Sequence, residues 1–177
     1  MTLTATEPLR APFPYFGGKS RAASLIWERF GDTPNYVEPF AGSLAVLLAR
    51  PHAPKVETVN DMDGLLVNFW RAVAADPDEV ARHADWPVAE LDLTARHAHL
   101  VERRPALTRR LEANPDYHDA KLAGWWAWGA CAWIGSGWCS GEGPWRVADG
   151  ELRQLPHLGD AGTGINRQLP HLGNAGT

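Results

Sequence analysis

Apolar residues recur at helical spacing over most of this chain and at strand spacing in only a few places. Ala22, Leu25, Ile26 and Phe30 share one face of a helix expected from Arg21 to Phe30, with Ser20 as its cap. The period changes in Asn35 to Arg50, N-Y-V-E-P-F-A-G-S-L-A-V-L-L-A-R. Tyr36-Val37 is β-prone, Pro39 ends any ladder it joins, and Gly42-Ser43 makes an open turn with a cap before the apolar run Leu44 to Ala49. This predicts a short strand, a tight turn and a buried helix. Val56, Thr58 and Val59 predict a second strand running to Asn60, and the connection is long enough for a right-handed parallel crossover. After Asp63, a helix to about Ala75 carries Leu65, Leu66, Phe69, Trp70 and Val73 on one face and Arg71 on the other. Asp76-Pro77-Asp78 stops it and caps a short successor. Pro87 to Glu112 reads as polar and helical, Trp125 to Ile134 as a buried helix, and Arg146 to Arg153 as a hairpin with an Asp-Gly turn that brings Arg146 near Arg153.

A strand that feeds a helix through small residues leaves unpaired N–H groups beside a crevice, the usual seat of a nucleotide-like ligand in an open α/β sheet. The turn is not G-x-G-x-x-G and lacks a Walker lysine, which argues against a dinucleotide or a triphosphate. Glu38 at the first strand's end can accept from a cationic or hydroxyl group. Asp61, in Asn60-Asp61-Met62-Asp63 at the second strand's end, can reach ribose hydroxyls. Both read equally well as ordinary strand-end and cap carboxylates.

Three blocks in order, P-Y-F-G-G-K-S-R (Pro14 to Arg21), Y-V-E-P-F-A-G-S-L-A-V (Tyr36 to Val46) and N-D-M-D-G-L-L-V-N-F-W-R-A-V (Asn60 to Val73), resemble the Dam-like (D12 class) adenine-specific DNA methyltransferases. The resemblance covers roughly the first half of the chain. It implies a partial Rossmann-like, S-adenosylmethionine-dependent methyltransferase fold of the α/β class, with a helical, Trp-rich recognition portion. It implies that Tyr15, Phe16, Gly17, Gly18 and Lys19 line the methionine end of S-adenosylmethionine. Glu38, Pro39, Phe40, Ala41 and Gly42 would then form the central cofactor turn, with Asp61 on the ribose. Lys19 can neutralise a carboxylate, and Tyr15 and Phe16 can pack beside a sulfonium. Read alone, Gly17-Gly18-Lys19 is a turn before a helix.

The composition fits a globular chain of 177 residues, 45% hydrophobic, without a membrane-length apolar run or a signal-peptide pattern. Cys131 and Cys139 form no C-x-x-C pair, so a disulfide framework or a zinc site is not expected and a cytoplasmic location is the default. His97 and His99 would point to different faces of a helix, which disfavours a metal pair. A net charge of −4 argues against broad electrostatic binding of nucleic acid but allows a local basic face. Arg96, Arg103, Arg104, Arg109 and Arg110 suggest either a phosphate-facing surface or a solvated face paired with Glu90, Asp92, Glu102 and Glu112. Gly124 to Trp145 interleaves six of the nine tryptophans with glycine. Core suits its first half. Gly135 to Trp145, including Trp138, is the candidate for contact with double-stranded DNA, together with Arg146 and Arg153.

The expected division is residues 1–86 for the cofactor part, 87–152 for target recognition and 153–177 for a tail. In that tail R-Q-L-P-H-L-G is repeated, as a linker or a paired DNA-contacting loop. By resemblance, methyl transfer to adenine needs Asp-Pro-Pro-Tyr after an apolar strand, and the 177 residues carry no such segment. Asn114-Pro115-Asp116-Tyr117 follows R-R-L-E-A and reads as a helix stop. No catalytic residue is therefore assigned. Two functions compete: an adenine methyltransferase of the restriction-modification kind, cut off before its catalytic strand or completed by a second chain, or a non-catalytic module that binds S-adenosylmethionine or DNA. With so little sheet, an exposed sheet edge and marginal stability or self-association are expected.

Overall fold

The structure is a computed structural model that describes residues 9–134, 138–139, 145–148 and 151–154. Helix α1 (Ala23–Phe30) leads to strand β1 (Asn35–Glu38), the single-turn helix α2 (Ala45–Leu48) and strand β2 (Val56–Val59). β1 and β2 pair in parallel, Tyr36 opposite Glu57 and Glu38 opposite Val59, as their spacing predicted. β1 alternates, with Tyr36 and Glu38 buried and Asn35 and Val37 exposed. On the covered face Trp27 of α1 lies 4.9 Å from the Tyr36 ring and donates its indole N–H to Val46 O at 2.6 Å. The opposite face is open, with Val37 and Val56 each 62% exposed and Val59 45%. Buried, two-sided strands are the norm for parallel sheets. Among the described residues the fold is a mixed helix–strand arrangement with this two-stranded parallel sheet.

The second core is helical. α3 (Gly64–Ala75), α4 (Pro77–Ala84), α5 (Glu90–Ala113) and α6 (Ala120–Ala132) enclose Leu65, Leu66, Phe69, Val80, Leu100, Leu107 and Trp126. Phe13, from the lead-in segment, is packed edge-on against Phe69 and Trp126, which fixes the chain just ahead of Tyr15. Asn68 is a fully buried polar residue within this core. Its amide donates to Asp119 O at 2.9 Å and accepts from Asp119 N at 2.8 Å, so α3 holds the backbone of the residue that caps α6. Strands β3 (Trp145–Ala148) and β4 (Glu151–Gln154) form the expected antiparallel hairpin, with Arg146 opposite Arg153; Asp149 and Gly150 lie outside the described residues.

Several local expectations change. Ser20 caps nothing: α1 begins two residues later than its apolar spacing suggests, after a turn in which Ala22 N bonds to Lys19 O. Leu44 is a left-handed residue (φ 53°) instead of the first residue of α2, and Ser43 supplies no cap. The Leu47 N–H of α2 instead lies close enough to the Glu38 carboxylate at the end of β1 to favour its charged form. Asn114-Pro115-Asp116-Tyr117 is a helix stop: Asn114 Oδ1 accepts from Asp116 N and its carbonyl from Tyr117 N. Arg96 does not face solvent. It is buried with its guanidinium 4.2 Å from the Trp128 ring and about 5 Å from those of Trp86 and Trp125.

Candidate functional site

The turn after β1 is held from three sides. Ala41 N donates to Asn60 O, Asn60 Nδ2 to Pro39 O, and Trp70 Nε1, from α3, to Gly42 O. Asp61 closes the arrangement. Its Oδ2 accepts from Gly42 N at 3.0 Å and its Oδ1 from Asp63 N at 3.1 Å. A carboxylate offers about four acceptor positions, so two backbone bonds leave Asp61 able to take two more donors. Asp61 is therefore both a structural tie between the two strand ends and a free acceptor toward solvent.

The lead-in loop folds over this turn. Tyr15 to Gly18 is a tight turn in which Gly18 N bonds to Tyr15 O, and Gly17 stands at φ 73°, the sign a type II turn requires at that place. The Tyr15 ring rests on Gly42. A Cβ at residue 42 would lie 2.8 Å from two ring carbons, and Gly42 itself has φ 50°. Both features penalise any side chain there.

Between loop and turn lies a cleft of about 230 Å³. All the residues expected from the first block, Tyr15, Phe16, Gly17, Gly18 and Lys19, line it, as do Glu38, Phe40, Ala41, Gly42 and Asp61. Pro39, though in the same turn, does not. Ser43 and Ala45 line it too and were not singled out from sequence; their small size beside Gly42 was the available signal. Phe16 (80% exposed), Phe40 (77%) and Met62 (91%) stand around this end of the sheet as large apolar groups with little cover. Glu38 is buried, and burial raises its carboxyl above the ordinary range despite the Tyr36 hydroxyl at 3.1 Å, Lys19 nearby and the Leu47 N–H. Burial, then the charges of Asp61 and Asp63, likewise raises the Tyr15 phenol.

Two other cavities carry less chemistry. One of about 540 Å³ runs under Leu9 to Pro14 and shares the Ala45 wall, and an apolar one of about 330 Å³ lies between α4 and α6. No group of three or more His, Cys, Asp or Glu able to hold a metal occurs among the described residues, and no helix there is long and apolar enough to cross a membrane.

The residues expected from sequence to contact DNA are placed differently. Trp138 is half-buried, donates its indole N–H to Trp126 O at 2.9 Å and packs so closely on Gly129 that a Cβ there would collide with its ring. Arg146 and Arg153 are brought opposite each other by the hairpin. On α5, Arg103, Arg109 and Arg110 are exposed, but Arg110 lies over Tyr117 and bonds its hydroxyl. Arg104 is engaged with Asp63 and Cys139 O.

No curated protein and no solved structure matches the chain. The family model for D12 class N6 adenine-specific DNA methyltransferases matches residues 15–107, a span that begins at Tyr15, crosses the central turn and Asp61, and ends within α5. It covers more than half of the 177 residues, and the chain belongs to the D12 class N6 adenine-specific DNA methyltransferase family.

Proposed function

We propose that the cleft between Tyr15–Lys19 and Glu38–Gly42 binds S-adenosylmethionine, and that the chain serves methylation of the adenine exocyclic amine in double-stranded DNA. The observation that carries this reading is the meeting of three separate sequence blocks around one cleft, each with a different chemical character. Methyltransferases of this kind generally use S-adenosylmethionine. The residues present suit it. Lys19 is placed for a carboxylate, Asp61 retains acceptor positions for hydroxyls, and Phe16, Phe40 and Met62 offer apolar surface to a flat base. The left-handed Gly42 keeps the cradle free of side chain. At about 230 Å³ the cleft is smaller than most ligand pockets, in keeping with partial enclosure and the rest of the ligand lying over exposed Phe40 and Met62.

The bound group supplies a methyl on a positively charged sulfur. The chain's residues that would hold and orient it are Lys19 and Asp61 at its two polar ends, on a turn already tied by Asn60, Asp61 and Trp70. A grip on the adenine amine is a separate requirement. Asn114-Pro115-Asp116-Tyr117 does not meet it, since Asn114 is spent on its own turn and Tyr117 lies under Arg110. Accordingly this chain by itself transfers no methyl group, and a partner segment bearing an apolar strand with Asp-Pro-Pro-Tyr completes the reaction. Labelled S-adenosylmethionine incubated with unmethylated duplex leaves the DNA unlabelled, and adding that segment restores transfer. Labelling by the lone chain, abolished in Asn114→Ala, would overturn this reading.

A further inference from the structure

Arg104 was legible from sequence only as one of five arginines on a polar helix, yet its guanidinium reaches Asp63, two residues beyond the cleft's Asp61. Its Nη2 lies 3.3 Å from Asp63 Oδ1, and its Nη1 donates to Cys139 O at 3.0 Å. Asp63 is next in line to the cleft, because its N–H is held by Asp61 Oδ1 while its own Oδ1 caps α3 through Leu65 N at 2.9 Å. On the far side, Cys139 N donates to His97 Nδ1 at 3.3 Å, and the His97 ring is stacked on Trp133 at 4.9 Å. A continuous run of polar contacts thus joins Gly42, Asp61, Asp63, Arg104, Cys139 and His97.

Two features keep this run from being slack. The start of α3 lies so close to α5 that a Cβ at Gly64 would collide with Thr108 Oγ1, and that hydroxyl donates to Arg104 O at 2.9 Å. Cys139, buried at 2% exposure, is held at φ 55°, a left-handed conformation that a side-chain-bearing residue keeps only when its surroundings impose it. The imposing contacts are the two backbone bonds, one to Arg104 and one to His97.

We propose that Arg104 is a positioning residue that couples occupancy of the Asp61 cleft to the conformation of Trp138–Cys139. The inference rests on the cofactor reading above. A ligand that bonds Asp61 fixes the carboxylate that holds the Asp63 N–H, Asp63 in turn steadies the guanidinium, and the guanidinium holds the Cys139 carbonyl. By thermodynamic reciprocity, whatever loads the segment at Cys139 tightens ligand at Asp61 by the same factor. The Arg104 and Asp63 side chains are 34% and 29% exposed, so the coupling belongs at the low end of the usual range, about fivefold.

The test is amide hydrogen exchange at Cys139, followed by NMR with and without saturating S-adenosylmethionine, with calorimetry on the same samples to establish binding. In the wild type the cofactor slows exchange about fivefold. Arg104→Gln, and Asp63→Asn, which keeps a good helix cap but loses the charge, bind cofactor in the calorimeter with an exchange ratio near one. Arg104→Lys gives an intermediate ratio, since a compact ammonium reaches one partner at a time. A ratio that stays at the wild-type value in both neutral variants overturns the role of Arg104, as does a wild-type ratio of one with cofactor demonstrably bound. No heat of binding in the wild type would overturn the cofactor reading, and the coupling with it. Asp63→Asn decides the matter if Arg104→Gln does not fold.

Discussion

Gly42 and Gly17 both have positive φ, but only Gly42 has something in the way. Replacing Gly17 by Ala places Cβ where nothing lies within 4 Å, so the cost is the backbone one alone, about 1–2 kcal/mol for a left-handed residue with a side chain. Gly42→Ala has that cost and a collision. Its Cβ would sit 2.8 Å from Cδ1 and Cε1 of Tyr15, where carbon contacts settle near ~3.5–4.0 Å, so the ring must retreat by roughly 1 Å. The ring is 37% exposed and can move, but moving it gives up the edge-on contact with Phe13 at 6.2 Å, worth about 0.5–1.5 kcal/mol. Gly42→Ala therefore destabilises by about 2–3 kcal/mol. Because Tyr15 lines the cleft, that substitution also displaces a wall of the site, whereas Gly17→Ala, though at a lining residue, adds a Cβ with nothing within 4 Å to displace. Calorimetric titration with S-adenosylmethionine should show affinity down at least about tenfold, equivalent to ~1.4 kcal/mol, for Gly42→Ala and within about twofold of wild type for Gly17→Ala. Equal losses in the two variants, or none in Gly42→Ala, would refute the argument that the Tyr15–Gly42 contact shapes the binding site.

Three further outcomes follow from other contacts. Asn68→Leu leaves the Asp119 N–H without its partner while the Asp119 C=O keeps the Ala123 N–H, so the cost is that of one orphaned donor, about 1–3 kcal/mol, read as a lowered denaturation midpoint with unchanged m-value. Burial holds the His97 imidazole below its usual pKa, so the unfolded chain takes up the proton first: stability is full above pH ~6.5 and is lost as pH falls through the depressed folded value, and His97→Gln flattens that acid limb. Arg146→Ala with Arg153→Ala reduces the slope of log affinity for duplex DNA against log salt by about 1.8 if both reach phosphate, and an unchanged slope removes the hairpin from the DNA surface.

The parallel pair β1–β2 was legible because Tyr36-Val37 and Val56-Glu57-Thr58-Val59 carry β-prone residues bounded by Pro39 and by Asn60-Asp61. α3 was legible through its apolar spacing; α6 was legible only in part, since the helix expected over Trp125 to Ile134 starts at Ala120 and ends at Ala132, leaving Ile134 outside it and exposed; the three ordered blocks do contribute residues to one cleft. What local pattern could not show was the tertiary use of polar groups. Glu38 and Asp61 were each open to a cap reading and a ligand reading, and the structure gives both a structural bond: Glu38 accepts from the Tyr36 hydroxyl, and Asp61 ties Gly42. Arg96 resembles any surface arginine until Trp86, Trp125 and Trp128, 10 to 32 positions away, close around it. Ser20 and Ser43 have cap chemistry but stand a residue or two from the turns that needed it. Asp63 was nearer to being readable, since Asp-Gly-Leu-Leu before an apolar face is a capping pattern; its second partner, Arg104, was not.

The most direct test of the account is a calorimetric titration of the wild-type chain and of Lys19→Ala with S-adenosylmethionine. Lys19 is the better choice than Asp61, because Asp61→Ala would also release Gly42 and Asp63 and confound loss of ligand with loss of the turn. The account predicts one site per chain in the wild type and affinity about tenfold lower in Lys19→Ala, the size of one charge-assisted bond to a carboxylate in a partly open cleft. Absence of heat from the folded wild type, or equal affinity in the two proteins, would contradict it.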